Sequence, residues 1–352
     1  MTNVTKVFRF LFIRFRYVSK KENSSLVHIL KMSNSKAASD NDHFFFSQTI
    51  LSIMLATPAV LSNVLLLITI SRSTNASQRI WQTPATLLVV NLGMCDLLAG
   101  LVPGYGSLYY DISILRGQRR ANLVGIQRFL TISAVVTNIV SSGTITAMSF
   151  DRLFMVSSPL HYKVLVTKTK IKVAMAFIWI YSLLFACLPL MGVATSTFVL
   201  LYCHLHVSVP LIILPMVYWK TFRALRLHNN QVQDVADNER RQHMGMAHRN
   251  RECKMVSAFL LVLILFYASF APQFIAQNIF IFHPKYQYID TFRFFLYTTN
   301  KVILVNCCLN PFVYAWRIPT YRRAFQAVFS GCFRLPRNTV DNCTDHTRSS
   351  NS

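Results

Sequence analysis

The sequence predicts an all-α membrane protein: a seven-transmembrane helix bundle with a short amphipathic cytoplasmic helix after the last span. Three observations carry this. The 352 residues are 53% hydrophobic and 14% charged, whereas soluble domains carry about a quarter charged residues. Seven segments reach the length needed to cross a bilayer core, about 20 mostly apolar residues. Lysines and arginines collect after the odd-numbered segments.

The predicted spans are 47–71, 83–108, 123–156, 171–193, 197–226, 252–282 and 290–315. The first contains "LSNVLLL" with Asn63, and the second "LVVNLGMCDLLAG" with Asp96. The third is expected to be the most polar, which suits a helix surrounded by other helices. The fourth holds Trp179 and Pro189, and the fifth Pro210 and Pro215. Membrane helices tolerate proline because neighbouring helices and waters satisfy the freed carbonyls. The sixth contains "FYASFAP" and the seventh "NPFVY". After it, Tyr321 to Phe329 reads as a short amphipathic helix lying on the membrane, and Cys332 behind it is a candidate for lipidation.

Loop charge sets the orientation. Arg72 and Arg79 follow span one; Lys163, Lys168, Lys170 and Lys172 follow span three. Span five is followed by a long basic run from Lys220 to Lys254, and the tail adds Arg317, Arg322 and Arg323. The positive-inside rule makes this side cytoplasmic and the N-terminus extracellular. Arg116, Arg119 and Arg120 after span two run against the rule, as does the basic, amphipathic stretch 1–31. That stretch reads as a surface-binding helix or leader, and translation from Met32 would omit it. Asn3 and Asn23 are glycosylation candidates if the segment is made and exported. The expected organisation is an N-terminal extracellular tail 1–46, a membrane domain 47–316, and a cytoplasmic amphipathic helix and tail 317–352.

The net charge of +23 does not indicate nucleic acid. The basic residues alternate with apolar runs too long for a nucleic-acid module and flank the spans instead. The 8 cysteines do not form a disulfide framework, since Cys95, Cys187, Cys307 and Cys308 lie inside apolar segments.

Charge retained within a span marks a functional candidate. Asp96 is the clearest case, because a mid-membrane carboxylate costs several kcal/mol unless paired, neutralised or hydrated. Candidate partners are Asn63, Ser141, Asn306 and Asn310. A protonated acid in a plain helix contact is the alternative. His204 and His206 lie two apart, so they do not share a helix face as a metal pair would.

These motifs, in this order and on these helices, resemble the rhodopsin-like (class A) G-protein-coupled receptors. The resemblance covers about residues 47–330. It rests on Asn63, on "NLGMCD" ending at Asp96, and on "DRL" at 151–153 followed by "SPLHY". Trp179, Pro210 with Tyr218, Pro272 and "NPFVY" at 310–314 complete the set. The resemblance implies a receptor for an extracellular ligand that activates a heterotrimeric G protein at the plasma membrane. No enzyme chemistry is implied, and membrane lipid is the other partner. A multi-pass transporter or channel is the rival class, although no internal repeat is visible. A seven-helix homologue that has lost signalling is a further alternative.

The same resemblance assigns roles. Arg152 would face the G protein when active and be restrained at rest by Asp151 and Glu252. Tyr218, Asn310, Pro311 and Tyr314 would belong to the same switch. Asn63, Asp96, Ser141, Asn306 and Asn310 resemble a polar core that takes a sodium ion, the one expected bound ion; no organic cofactor is implied. Ligand-pocket candidates are Asn138, Tyr202, His206, Phe270, Gln273, Phe274, Gln277 and Asn300. Ala134 stands where amine receptors keep an aspartate, and Leu304 where opsins keep their lysine; Lys301 lies one turn outward. A biogenic amine or retinal is therefore disfavoured against a nucleoside, lipid or small peptide.

The chain departs from the pattern at four places. Gln127 replaces the cysteine that usually ties span three to the second extracellular loop. That loop itself is very short, about 192–197. Leu153 replaces an aromatic after the arginine, and Phe270 replaces the usual tryptophan.

Overall fold

A computed structural model describes residues 35–72, 83–234 and 239–333. Every regular element among them is helical. Helix α1 spans Ser35–Arg72 and α2 spans Pro84–Leu115. Helix α3 is Arg120–Ser157, followed by a short helix Pro159–Leu165, and α4 is Lys168–Ala186. Helix α5 comprises Thr195–Cys203, a π-helical turn His204–Ser208, and Val209–Asp234. Helix α6 is Glu239–Phe282. Helix α7 runs as Asp290–Val302 and Leu304–Arg317, and α8 is Pro319–Phe333.

Local chemistry sets several ends. The Thr83 hydroxyl accepts from the Thr86 amide at 3.2 Å, and Pro84 sits in the first turn of α2. Thr167 does the same for α4, accepting from Lys170 N at 3.3 Å. Such caps satisfy amides that have no intrahelical partner. Helix α4 stops at Ala186 because Leu188–Met191, with Pro189 in its first turn, tightens into a 3₁₀ turn. Gly192 then takes φ 93°, a left-handed conformation that favours glycine. Only Gly192, Val193 and Ala194 separate that turn from α5.

The spans are longer than the sequence predicts at several ends. Helix α1 begins at Ser35 rather than 47, and α6 at Glu239 rather than 252. Polar residues can continue a helix beyond the bilayer, where hydropathy no longer marks it. Six described helices are long and apolar enough to cross a membrane. The seventh, Asp290–Arg317, passes that test only joined to α8, which meets it at 102°. The seventh span, and not the third, is therefore the most polar. Its Thr299, Lys301, Asn306 and Asn310 are buried among other helices rather than facing lipid.

Lipid tails give no hydrophobic drive between helices, so close backbone approach and polar ties hold such bundles together. In α2, Gly100 and Gly104 bracket a π-helical turn containing Pro103. A Cβ on Gly100 would lie 2.8 Å from Val60 Cγ2, and one on Gly104 2.9 Å from the Ala56 Cβ, both on α1. Asn91 Nδ2 donates to Thr144 Oγ1 at 2.8 Å, and Trp179 Nε1 donates to Asn91 Oδ1 at 3.0 Å, joining α2, α3 and α4. In the π-helical turn of α5, the His206 carbonyl accepts from Ser142 Oγ of α3 at 3.0 Å. Helix α3 packs against α2, α4, α5 and α6. The outward faces carry exposed Leu61, Phe177, Leu184 and Ile212, as a bilayer solvent allows. The described cysteines Cys95, Cys187, Cys203, Cys253, Cys307 and Cys308 are free thiols.

Candidate functional site: a cavity, a polar core and a buried arginine

A cavity of about 260 Å³ opens between α2, α3, α5, α6 and α7. Of the expected pocket residues, Asn138, Tyr202, Gln273, Gln277 and Asn300 line it. Asn138 Nδ2 donates to the Tyr202 hydroxyl at 3.3 Å. Gln273 Nε2 donates to Asn300 Oδ1 at 2.8 Å, and its carbonyl accepts from Thr299 Oγ1, coupling α6 to α7. A second cavity of about 480 Å³ shares Gln127, Thr131, Val135, Phe198 and Val199 with the first and extends to the α4–α5 connection.

His206, Phe270 and Phe274 do not line the first cavity. His206 turns into the α4–α5 seam, with Nε2 3.1 Å from the Tyr181 hydroxyl and its ring 4.6 Å from Phe185. The π-helical turn starting at His204 changes the angular position of later residues, which straight-helix spacing does not anticipate. Phe270 stacks on Phe266 at 4.3 Å within the apolar core, and Phe274 packs against both main apolar clusters.

Two cavity features escape the sequence reading. Gln127 lines both cavities. Lys301 lines the first and pairs with Asp111 of α2. The signal was present: an ammonium within a span needs a partner. Asp111 fell outside a span ended at 108, whereas α2 continues to Leu115.

Deeper in the bundle, Asn310 Nδ2 donates to Asp96 Oδ2 at 2.7 Å. Asn63 Nδ2 donates to the carbonyls of Ala59 and Cys307 at 2.8 and 2.9 Å. Asp96 Oδ1, Ser141 Oγ, Asn306 Oδ1, Asn310 Oδ1 and Asn63 Oδ1 are buried and find no hydrogen-bond partner among the described residues. Unmatched buried oxygens of this kind suit a hard cation, which binds oxygen donors.

At the C-terminal end of α3, Asp151 and Arg152 are 3% and 2% exposed. Arg152 Nε donates to Asp151 Oδ2 at 2.9 Å, and the guanidinium makes a second contact with the same oxygen. Tyr162 of the short helix donates to Asp151 Oδ1 at 2.7 Å. The guanidinium carbon lies 5.4 Å from the Phe259 ring of α6, a cation–π distance. Tyr218 of α5 accepts from Ser149 Oγ at 3.4 Å. Tyr314 is fully buried, packs edge-on to Phe259 at 6.3 Å, and its hydroxyl has no hydrogen-bond partner among the described residues. Pro311 is buried in α7 beside Asn310. The side chains of Glu252 and Cys332 lie outside the described residues, as do Asn3 and Asn23.

A family model described as "7 transmembrane receptor (rhodopsin family)" matches residues 62–314. Cannabinoid receptor 1 of Xenopus laevis is 25% identical over 306 residues, covering 80% of this chain and 63% of that protein. Melanopsin of Phodopus sungorus is 25% identical over 308 residues, covering 81% and 62%. The chain thus spans less than two thirds of the length of these relatives. The crystal structure of squid rhodopsin superposes with a TM-score of 0.71 at 17% identity, covering 84% of this chain and 89% of that one.

Proposed function

Because this chain belongs to the rhodopsin family of seven-transmembrane receptors, we propose that it is a G-protein-coupled receptor for an uncharged extracellular ligand. The ligand enters the outer cavity and is held by the carboxamides and hydroxyls of Asn138, Tyr202, Gln273, Gln277 and Asn300. A nucleoside, a neutral lipid or a small peptide with blocked ends has the matching neutral polarity. Ligand binding favours a bundle in which Arg152 leaves Asp151 and meets a heterotrimeric G protein. Binding shifts a population between two bundles by its differential affinity for them. The N-terminus is extracellular, the C-terminus cytoplasmic, and the site of action the plasma membrane. The chain carries no enzyme chemistry of its own.

One observation supports this reading above the others. Helix α3 carries both a wall of the cavity, at Gln127 to Asn138, and the buried Asp151–Arg152 pair at its other end. A rigid helix linking the two sites gives ligand and G protein a shared element to bias.

Asp96, Ser141, Asn306 and Asn310, with Asn63 beside them, would hold a sodium ion. Bound there, the ion neutralises the carboxylate. The protein's part is to present unmatched oxygens from α1, α2, α3 and α7, so that any movement of α7 disturbs the set.

The experiment is a screen of neutral nucleosides, lipids and peptides in cells expressing the chain with a promiscuous G protein. A hit should drive nucleotide exchange, and Arg152→Ala should abolish that response while binding of the labelled hit persists. Undiminished signalling by Arg152→Ala would overturn the reading.

A further inference from the structure

Lys301 is the only charged residue among the described residues lining the first cavity. Its ammonium does not face the cavity as a free cation. It donates to the Gln48 carbonyl at 3.0 Å, to Ser52 Oγ at 2.8 Å, and to the Asp111 carboxylate. An ammonium has three donors, so none remains for a ligand. Asp111 is fully buried and accepts from Tyr297 at 2.6 Å through Oδ1, with Ser52 Oγ 3.5 Å from Oδ2. The Tyr297 ring also covers the ammonium at 5.0 Å. Phe44 and Phe45 pack against Tyr297, at 5.9 and 6.0 Å.

Two buried charges brought together in this way repay their desolvation only with good geometry and further hydrogen bonds. Here both are supplied, from α1, α2 and α7 at once. The consequence for the cavity is specific. A cationic ligand meets an acid already neutralised and a like charge in front of it. At this wall an anionic ligand meets an ammonium with no donor to offer, whereas Arg128 lines the adjoining second cavity. The other polar groups that line the first cavity are neutral amides and hydroxyls.

We propose that Asp111, behind Lys301 at the wall of the ligand cavity, is a cation subsite kept filled by the tethered cation Lys301, which denies this wall to a ligand's own ammonium group. This rests on the reading of the cavity as the ligand site. Shortening Lys301 would extend the cavity to Asp111. The acid would then take a small primary ammonium ion, which can repeat the contacts to Asp111, Ser52 and Gln48.

The test uses the full chain in lipid nanodiscs and n-propylammonium chloride as the probe. Lys301→Ala should unfold at a lower temperature than wild type, since a buried carboxylate is left unpaired. Propylammonium should raise that midpoint by several degrees, saturably, where sodium chloride at equal ionic strength does not. Neither wild type nor the Lys301→Ala/Asp111→Asn double variant should respond. If Lys301→Ala does not accumulate, its surface level in cells grown with propylammonium gives the second measurement. A selective rise over the double variant is then expected. A response of Lys301→Ala no greater than that of the double variant, in either measurement, would overturn the proposal. No G protein enters these measurements, so their failure is distinct from failure of the receptor reading.

Discussion

Asn310 of α7 donates to Asp96 of α2 at 2.7 Å, yet the other carboxylate oxygen has no hydrogen-bond partner among the described residues. The side-chain oxygens of Ser141, Asn306 and Asn310 are buried in the same condition. A cation would answer all of them, while an Asp96→Asn side chain keeps the shape and removes the charge. Sodium should therefore lower ligand-free nucleotide exchange by the wild-type receptor, relative to N-methylglucamine at equal ionic strength. The Asp96→Asn variant should lose that difference. Equal exchange in the two salts by wild type would make the core a purely structural polar contact.

The restraint on Arg152 leads to a second expectation. Tyr162 donates to the Asp151 oxygen that the arginine does not use for its Nε contact. In the proposed resting bundle it therefore stabilises the carboxylate that holds the guanidinium. Tyr162→Phe removes one hydrogen bond to a charged group, worth about 1.5 kcal/mol or more before compensation. If about 1 kcal/mol of it is specific to the resting bundle, the ratio of active to resting states changes roughly fivefold. Ligand-free exchange at matched surface expression should rise accordingly. Glu252→Ala should act in the same direction, from the family role of that position. Unchanged basal exchange in Tyr162→Phe would show that this hydroxyl does not favour the resting state.

A third expectation concerns the seam between α1 and α2. Gly100 leaves no room for a Cβ, which would sit 2.8 Å from Val60 Cγ2 and 3.4 Å from the Ala56 carbonyl. Gly100→Val forces the helices apart in a region where packing is the main attraction. Overpacking of this kind typically costs 1–3 kcal/mol, so about that loss is expected here. The thermal midpoint of the purified variant should fall by several degrees. Gly125→Ala is the control, because nothing lies within 4 Å of its added Cβ. Equal midpoints for the two variants would contradict the close-packing account.

Much of the bundle was legible in the sequence because lipid imposes one strong rule, an apolar run long enough to cross. Asp96 and Asn310 were legible because polar atoms inside such runs stand out, and the structure joins them directly. The rule says nothing once a helix leaves the bilayer. The start of α1 at Ser35 and the extension of α2 through Asp111 were therefore missed. Straight-helix spacing also fails at an inserted π turn, and His206 lies against Tyr181 instead of in the cavity. The pairing of Lys301 with Asp111 joins positions far apart in the chain. Hydropathy carries no record of which polar residues meet.

Trp179 presents the last test, at the junction of α2, α3 and α4. Its indole N–H donates to Asn91 Oδ1 at 3.0 Å, while Asn91 Nδ2 donates to Thr144 Oγ1 at 2.8 Å. Trp179→Phe keeps an aromatic ring but removes the donor. Within the bilayer no bulk water can replace it, so the Asn91 carbonyl is left unmatched at a cost of about 1–3 kcal/mol. Asn91→Ala removes the acceptor as well as the Thr144 contact. If the indole acts through Asn91, adding Trp179→Phe to Asn91→Ala should lower the thermal midpoint by much less than Trp179→Phe does alone. Such non-additivity is the mark of residues in one network. Strictly additive losses would mean that Trp179 stabilises the junction by packing alone.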